Sequence, residues 1–475
     1  MGKYTQSLPA GIIVRATGFF EVSRSIKNPR LSFSSRNLLV GFCVYILYLN
    51  SDYQPKPNTM KRAAFFGSVI LTVSFMVVGS CNQDDQESPE KLKKASPIVL
   101  KSEYLNKTAQ DNSFAFDLLK TTLQPDDKPN VFVSPLSVSM ALSMTLNGAK
   151  GETADEMFDA LRVSGYTMEE VNDYNQTLRE ALLKADPTTE LGIANSIWNR
   201  KGISFLDAFI QVNQNFYDAE VREMDFSAPA TLDAINNWCS DATKGKIPKV
   251  LDAIPTDAVS YLINAIYFKG IWMMKFQEKK TTNEQFTAES GSQQTVKMMR
   301  QTEEFSYAAT ENGGYLQLPY GNGAFSMVVM LPHAGRTVSH MLSELNPESW
   351  NSLKYRTCKV NLKLPRFKAE CSYNMEKAIL PAMGMLKAFD PQQADFSGMS
   401  NIGLFISRVI HKTFVEVNEE GTEAAAVTVV EMELTAFPSE PEEIDFFVNK
   451  PFLFLIKENS TGAILFAGKI GEVSD

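Results

Sequence analysis

The chain has 475 residues, 44% hydrophobic and 21% charged, with a formal net charge of −9. That is globular composition, not disorder or a fibre, and a body of a few hundred residues buries about three quarters of its unfolded surface without staples. The acidic balance, with no long Lys/Arg block, argues against nucleic acid as a partner, and the short run Lys91-Leu92-Lys93-Lys94 reads as solvated linker.

Residues 1–59 hold one apolar run, Leu38 to Leu49, too short to span a membrane, and no other pattern. They read as a gene-model extension or, alternatively, a further targeting segment. Met60-Lys61-Arg62 is followed by an apolar run from Ala63 to Val78 and by Gly79-Ser80-Cys81. A basic start, an apolar stretch and small residues before a break make residues 60–80 a secretory signal. Val78-Gly79-Ser80-Cys81 also resembles a bacterial lipobox, although Val78 stands where leucine is most usual. That resemblance implies lipidation of Cys81, a mature chain beginning there and attachment to a membrane. The other reading is an ordinary transmembrane anchor. Residues 81–103 are polar, with two prolines before residue 98, and read as a flexible tether. Asn82-Gln83-Asp84-Asp85-Gln86-Glu87 is similar to the acidic export signal of surface lipoproteins in Bacteroidetes-like bacteria, which implies an exported lipoprotein on the outer membrane or cell surface.

From residue 104 to the end the chain reads as one domain. Phe114, Phe116, Leu118 and Leu119 predict a helix over 111–122, Val131-Phe132-Val133 a short strand, and Ser137 to Asn147 a helix broken from it by Pro135. Glu152 to Leu161 is a further helix. Beyond about residue 250 strands dominate: 260–268, 314–319, 325–331, 359–365 and 446–457. Helices first and strands later predict an α+β fold with large, mainly antiparallel sheets. The five cysteines show no paired spacing, and Cys239, Cys358 and Cys371 read as buried apolar residues. His333, His340 and His411 make no ligand set, and no nucleophile elbow, phosphate loop or metal cluster occurs. Bottom-up, the body carries no enzymatic signal, no cofactor and no metal.

One stretch stands apart. From Thr422 onward the even positions read Thr422, Ala424, Ala426, Thr428, Val430, Met432 and Leu434, none charged, while Glu423, Glu431 and Glu433 fall on odd positions. That is the period of a strand with one face free of charge. Yet it follows Asn418-Glu419-Glu420-Gly421 and opens on three alanines, which suit a helix or a loop better.

Several motifs, in order, resemble those of serpins. They include Asn130-Val131-Phe132-Val133-Ser134-Pro135-Leu136-Ser137, Leu146-Asn147-Gly148-Ala149-Lys150-Gly151-Glu152-Thr153, Asn264-Ala265-Ile266-Tyr267-Phe268-Lys269-Gly270-Ile271-Trp272 and Leu318-Pro319-Tyr320. Leu364-Pro365-Arg366-Phe367, Ala394-Asp395-Phe396-Ser397-Gly398 and Pro451-Phe452-Leu453-Phe454 continue the set. The resemblance covers about residue 105 to the end. It implies three β-sheets, eight or nine helices and an exposed C-terminal reactive loop. It further implies a monomeric suicide-substrate inhibitor, not an enzyme: a serine protease cuts the loop, the loop enters the main sheet as a strand, and the acylated protease is trapped covalently. The alternative is a non-inhibitory member serving as a binding or structural surface protein.

The resemblance assigns the hinge to Glu419, Glu420, Gly421, Thr422, Glu423, Ala424, Ala425, Ala426, Val427 and Thr428. Ser134, Ser137, Asn264 and His411 match a polar network where the sheet parts, and Trp272 a tryptophan near the start of insertion. The family spacing from Gly421 implies cleavage between Thr435 and Ala436, with Leu434-Thr435 as the neighbouring choice. A small uncharged Thr435 suits a shallow elastase-like pocket, and Leu434 a chymotrypsin-like one. The absence of Lys and Arg between Gly421 and Val448 argues against a trypsin-like target.

Overall fold

The computed structural model describes residues 93–124, 128–256, 258–422 and 441–473. The first helix, α1 (Leu105–Leu123), starts earlier than periodicity predicts. Its early residues Lys107 and Thr108 are polar in sequence yet buried, and Thr108 Oγ1 lies 3.2 Å from the Tyr174 hydroxyl. A satisfied polar side chain inside a protein leaves no apolar signature. Strand β1 (Asn130–Val133) leads into α2 (Pro135–Leu146). Ser134 caps that helix by accepting the Ser137 N–H, and Pro135 occupies the first turn, where its missing donor costs nothing.

The chain continues through α3 (Gly151–Ala160), α4 (Met168–Leu182), β2 (Glu190–Arg200), α5 (Asp207–Tyr217), β3 (Glu220–Met224) and α6 (Pro229–Ala242). Strands β4 (Ser260–Ile271), β5 (Thr282–Thr287), β6 (Gln293–Ala309), β7 (Gly313–Pro319) and β8 (Phe325–Pro332) follow. Then come α7 (Val338–Glu344), α8 (Pro347–Ser352), β9 (Arg356–Pro365), β10 (Phe367–Asn374), α9 (Ile379–Ala382) and β11 (Ile410–Val417). The last elements are β12 (Gly421–Thr422), β13 (Glu443–Phe447), β14 (Phe452–Glu458) and β15 (Ile464–Ile470). The run expected over 446–457 is two strands. Pro451 has no N–H to donate, and the chain changes partners there, from a parallel pairing with β9 to antiparallel pairings with β8 and β15.

The fold is α+β, as expected, with nine α-helices among the described residues. Hydrogen bonds join the strands into two networks rather than three. The larger runs β1-β15-β14-β8-β7-β6-β9-β13, with β5 on β6. It is continuous because β6, 17 residues long, pairs in turn with β5, β9 and β7. The smaller is β10-β11-β12-β4-β2-β3. Between the two networks α2 packs on both β4 and β15. Beside it Phe132 stacks 5.5 Å from Phe454 and 5.3 Å from Phe466.

Residues 93–103 belong with this body, and part of the expected tether is docked on it. Ala95, Ile98 and Leu100 pack against the core, and the Ala95 N–H donates to Asn322 O at 3.0 Å. The apolar run Ile98-Val99-Leu100 is short and follows a charged, proline-containing stretch, so composition alone suggested a free linker.

Candidate functional site, a strand-sized gap in the smaller sheet

Strands β4 and β11 do not pair with each other. Among the described residues only β12 lies between them, with Gly421 opposite Ile271, and Thr422 opposite Gly270 on one side and Val417 on the other. The chain reverses at Asn418, whose Oδ1 accepts the N–H groups of Glu420 and Gly421 at 3.0 and 3.3 Å, while its own N–H donates to Gly421 O at 2.9 Å. Asparagine suits this position because its side chain mimics a backbone turn. Gly421 passes so close to β4 that a Cβ there would lie 2.0 Å from Gly270 O.

Thr422 was expected in an exposed hinge. It is instead 3% exposed, and its Oγ1 lies 2.6 Å from the Tyr320 hydroxyl. The indole of Trp272 stacks on Tyr320 at 4.5 Å and 9°, and its Nε1 donates to Asn418 O at 2.9 Å. The Trp272 N–H donates to Glu420 O at 2.7 Å. Trp272 therefore lies against residues 418–420.

Glu419 is buried, and Arg366, at the β9–β10 junction, grips it with Nε at 2.9 and 2.8 Å from the two oxygens and a terminal nitrogen at 2.7 Å. Thr281 Oγ1 donates to the same carboxylate. Burial alone would raise its pKa, but these bonds outweigh burial and hold it below the ordinary glutamate value. A forked guanidinium–carboxylate pair fixes direction as well as charge, so it pins the turn to its neighbour.

Below the hairpin the expected four-residue network is divided. His411 Nε2 accepts the Ser134 N–H at 2.9 Å, and Ser134 Oγ donates to Leu465 O at 2.7 Å while capping Ser137. Burial pushes the His411 imidazole down to about 4, so it is neutral, as an accepting nitrogen requires. Asn264 does not join this set. Its amide donates to Asn195 Oδ1 at 2.7 Å, on the β2 side, and its own Oδ1 has no partner. The gap between β4 and β11 separates the two groups. There a cavity of about 200 Å³ is lined by Ser137, Thr145, Asn264, Phe405 and His411 among others.

Asn418, Tyr320, Arg366 and Thr281 received no role from the sequence. Tyr320 and Arg366 do fall in motifs that marked the family, but nothing local shows that they meet residues 418–422. The hinge residues Glu423, Ala424, Ala425, Ala426, Val427 and Thr428, the bond candidates Leu434, Thr435 and Ala436, and Cys81 lie outside the described residues.

Among the described residues, β4 and β11 are thus bridged by Gly421 and Thr422 alone, at the end where the small-residue segment begins. The Serpin (serine protease inhibitor) family model matches residues 109–473. Leukocyte elastase inhibitor of Xenopus laevis is 40% identical over 372 residues, covering 75% of this chain and 96% of that protein. The human leukocyte elastase inhibitor is 36% identical over 378 residues, covering 76% of this chain and 98% of that protein. The native-state crystal structure of the thermophilic serpin tengpin superposes with a TM-score of 0.69 at 32% identity, covering 81% of this chain and 98% of its own. The chain belongs to the serpin family.

Proposed function

We propose that this protein inhibits elastase-like serine proteases as a suicide substrate, through cleavage between Thr435 and Ala436, insertion of the cut segment between β4 and β11, and covalent retention of the protease. The observation that carries this is Thr422, already paired with both strands and facing the core. Antiparallel register continued from that pair would bring Ala424 between Phe268 and Val415, Ala426 between Ile266 and Thr413, and Thr428 between Asn264 and His411. The odd positions of β11 are the buried ones, and they are those that oppose even loop positions. Directly paired residues share a face. The small even residues would thus enter the core without overpacking, while Glu423 and Glu431 would stay in water. The name of the elastase-inhibitor relatives agrees with a small residue at the cut.

Mixing the protein with pancreatic elastase and running a denaturing gel tests this. A covalent complex is expected, with a released peptide beginning at Ala436. Cleavage without complex would favour the non-inhibitory reading, and a peptide beginning at Thr435 would move the bond to Leu434.

We further propose export as a lipoprotein, anchored through Cys81 and displayed at the cell surface. The run from Met60 to Cys81 supports it. Among the described residues no helix is long and apolar enough to cross a membrane.

A further inference from the structure

We infer that the N-terminal strap, residues 95–98, seats the hinge: by bracing the turn between β7 and β8 it keeps Tyr320 against Thr422. The strap touches the body at two backbone points. The Ala95 N–H donates to Asn322 O at 3.0 Å, and the Ile98 N–H to Ser460 Oγ at 2.8 Å. Both converge on one turn. Asn322 belongs to it, its side chain donating to Ala185 O at 3.0 Å and accepting the Ala324 N–H at 2.9 Å. Ser460 follows Asn459, whose side chain donates to Gly323 O at 2.9 Å and whose N–H donates to Ala324 O at 2.8 Å.

The turn in its turn carries the hinge contacts. Tyr320 is fully buried, stacked on Trp272, with its hydroxyl on Thr422. The Gly321 N–H donates to Ile271 O at 2.8 Å, and Ile271 is the residue opposite Gly421. From strap to hinge the path is two residues of one turn and one hydroxyl pair.

The strap therefore keeps the first step of insertion made in the uncut protein. Pulling it away, by tension on the preceding chain or by proteolytic trimming, would free Thr422 and make the cut segment begin insertion from outside the sheet. This rests on reading residues 418–422 as the hinge of an inserting loop, but the seating itself is measurable without any protease.

The test is amide hydrogen exchange on the uncut full-length chain carrying Ala95→Pro, which removes one donor, and Ser460→Ala, which removes the other acceptor. A peptide spanning Asn418–Thr422 should exchange about threefold to tenfold faster, the range that loss of one or two hydrogen bonds allows. Peptides from β8 should be unchanged. In a Tyr320→Phe background, which keeps the ring stack and loses the hydroxyl, the strap substitutions should add no further acceleration at 418–422. Unchanged exchange at 418–422 in the strap variant would make the strap a passive cover. Equal acceleration with and without the Tyr320 hydroxyl would mean that the coupling does not run through this turn. Either result overturns the inference and leaves protease inhibition untouched.

Discussion

At Thr422 the buried side chain meets the Tyr320 hydroxyl. Thr422→Val keeps the volume and loses the hydrogen bond, so it should lower stability by about 1 kcal/mol. Thr422→Arg is different in kind. The guanidinium would replace a small hydroxyl buried against Tyr320, and desolvating a charge there costs several kcal/mol, more than two paired residues return. The arginine variant should expel β12, be cut by elastase at the same bond and form little covalent complex. Gel analysis of paired reactions reads this, and undiminished complex formation would show that Thr422 need not re-enter. His411 gives a pH dependence. Its folded value of about 4 lies below the ordinary 6.5. Between those values the unfolded chain takes up a proton that the buried ring refuses. Stability is full above pH 6.5 and declines as pH falls toward 4, by at most about 3 kcal/mol. Protonation would also end acceptance of the Ser134 N–H. Urea unfolding at pH 7 and 4.5 should show the decline, and His411→Asn should flatten it. A variant as steep as the parent would place the titration elsewhere.

The hairpin of β11 and β12 is the element on which the site turns, and it is held more by Glu419 than by its own two-residue strand. Glu419→Gln keeps the shape and removes the charge, so it should cost about 1–3 kcal/mol, the worth of hydrogen bonds to a charged group. Because the Glu419 pKa is lowered, its contribution is present above the ordinary carboxylate value of 4.5 and fades as pH falls through the lowered one. The Gln variant should therefore have a shallower acid limb below pH 4.5, the other lowered carboxylates such as Asp173 and Glu284 keeping the rest, while the His411 limb above it stays, a separation that denaturation curves at closely spaced pH values resolve. This element also shows what sequence could tell. The family motifs located β1, α2 and β4, while the alternating composition from Glu423 onward falls outside the described residues. The pairing of Gly421 and Thr422 was not legible. It depends on Tyr320 and Trp272, brought from roughly 100 and 150 residues away by sheet register. For the same reason Asn264 was grouped with His411. Both line the cavity, but only the folded backbone shows the amide turned toward Asn195.

At the scale of the whole molecule, β4 and β11 are joined among the described residues through Gly421 and Thr422 alone. Membrane attachment is one consequence of the proposed leader: Cys81→Ser should move the protein from the membrane to the soluble fraction, and a variant that stays with the membrane would exclude a lipid anchor. The larger consequence concerns the body. Register continued from Thr422 would take the cut segment alongside β4 as far as Ser260, opposite Met432. Ten inserted residues, from Glu423 to Met432, would gain ladder hydrogen bonds to β4, those as far as Val429 also to β11, and bury their even side chains against the cavity. Against this stands the entropy of ordering each residue. Ladder hydrogen bonds and buried apolar surface both favour the inserted state. Cleavage should therefore raise the melting temperature. Differential scanning calorimetry of the chain before and after a cut in the loop measures it. The Thr422→Arg variant, cut in the same way, should gain much less, because its first residue resists entry. A cut parent that melts where the uncut one does would mean that the segment stays outside, and the gap would then serve something other than its own loop.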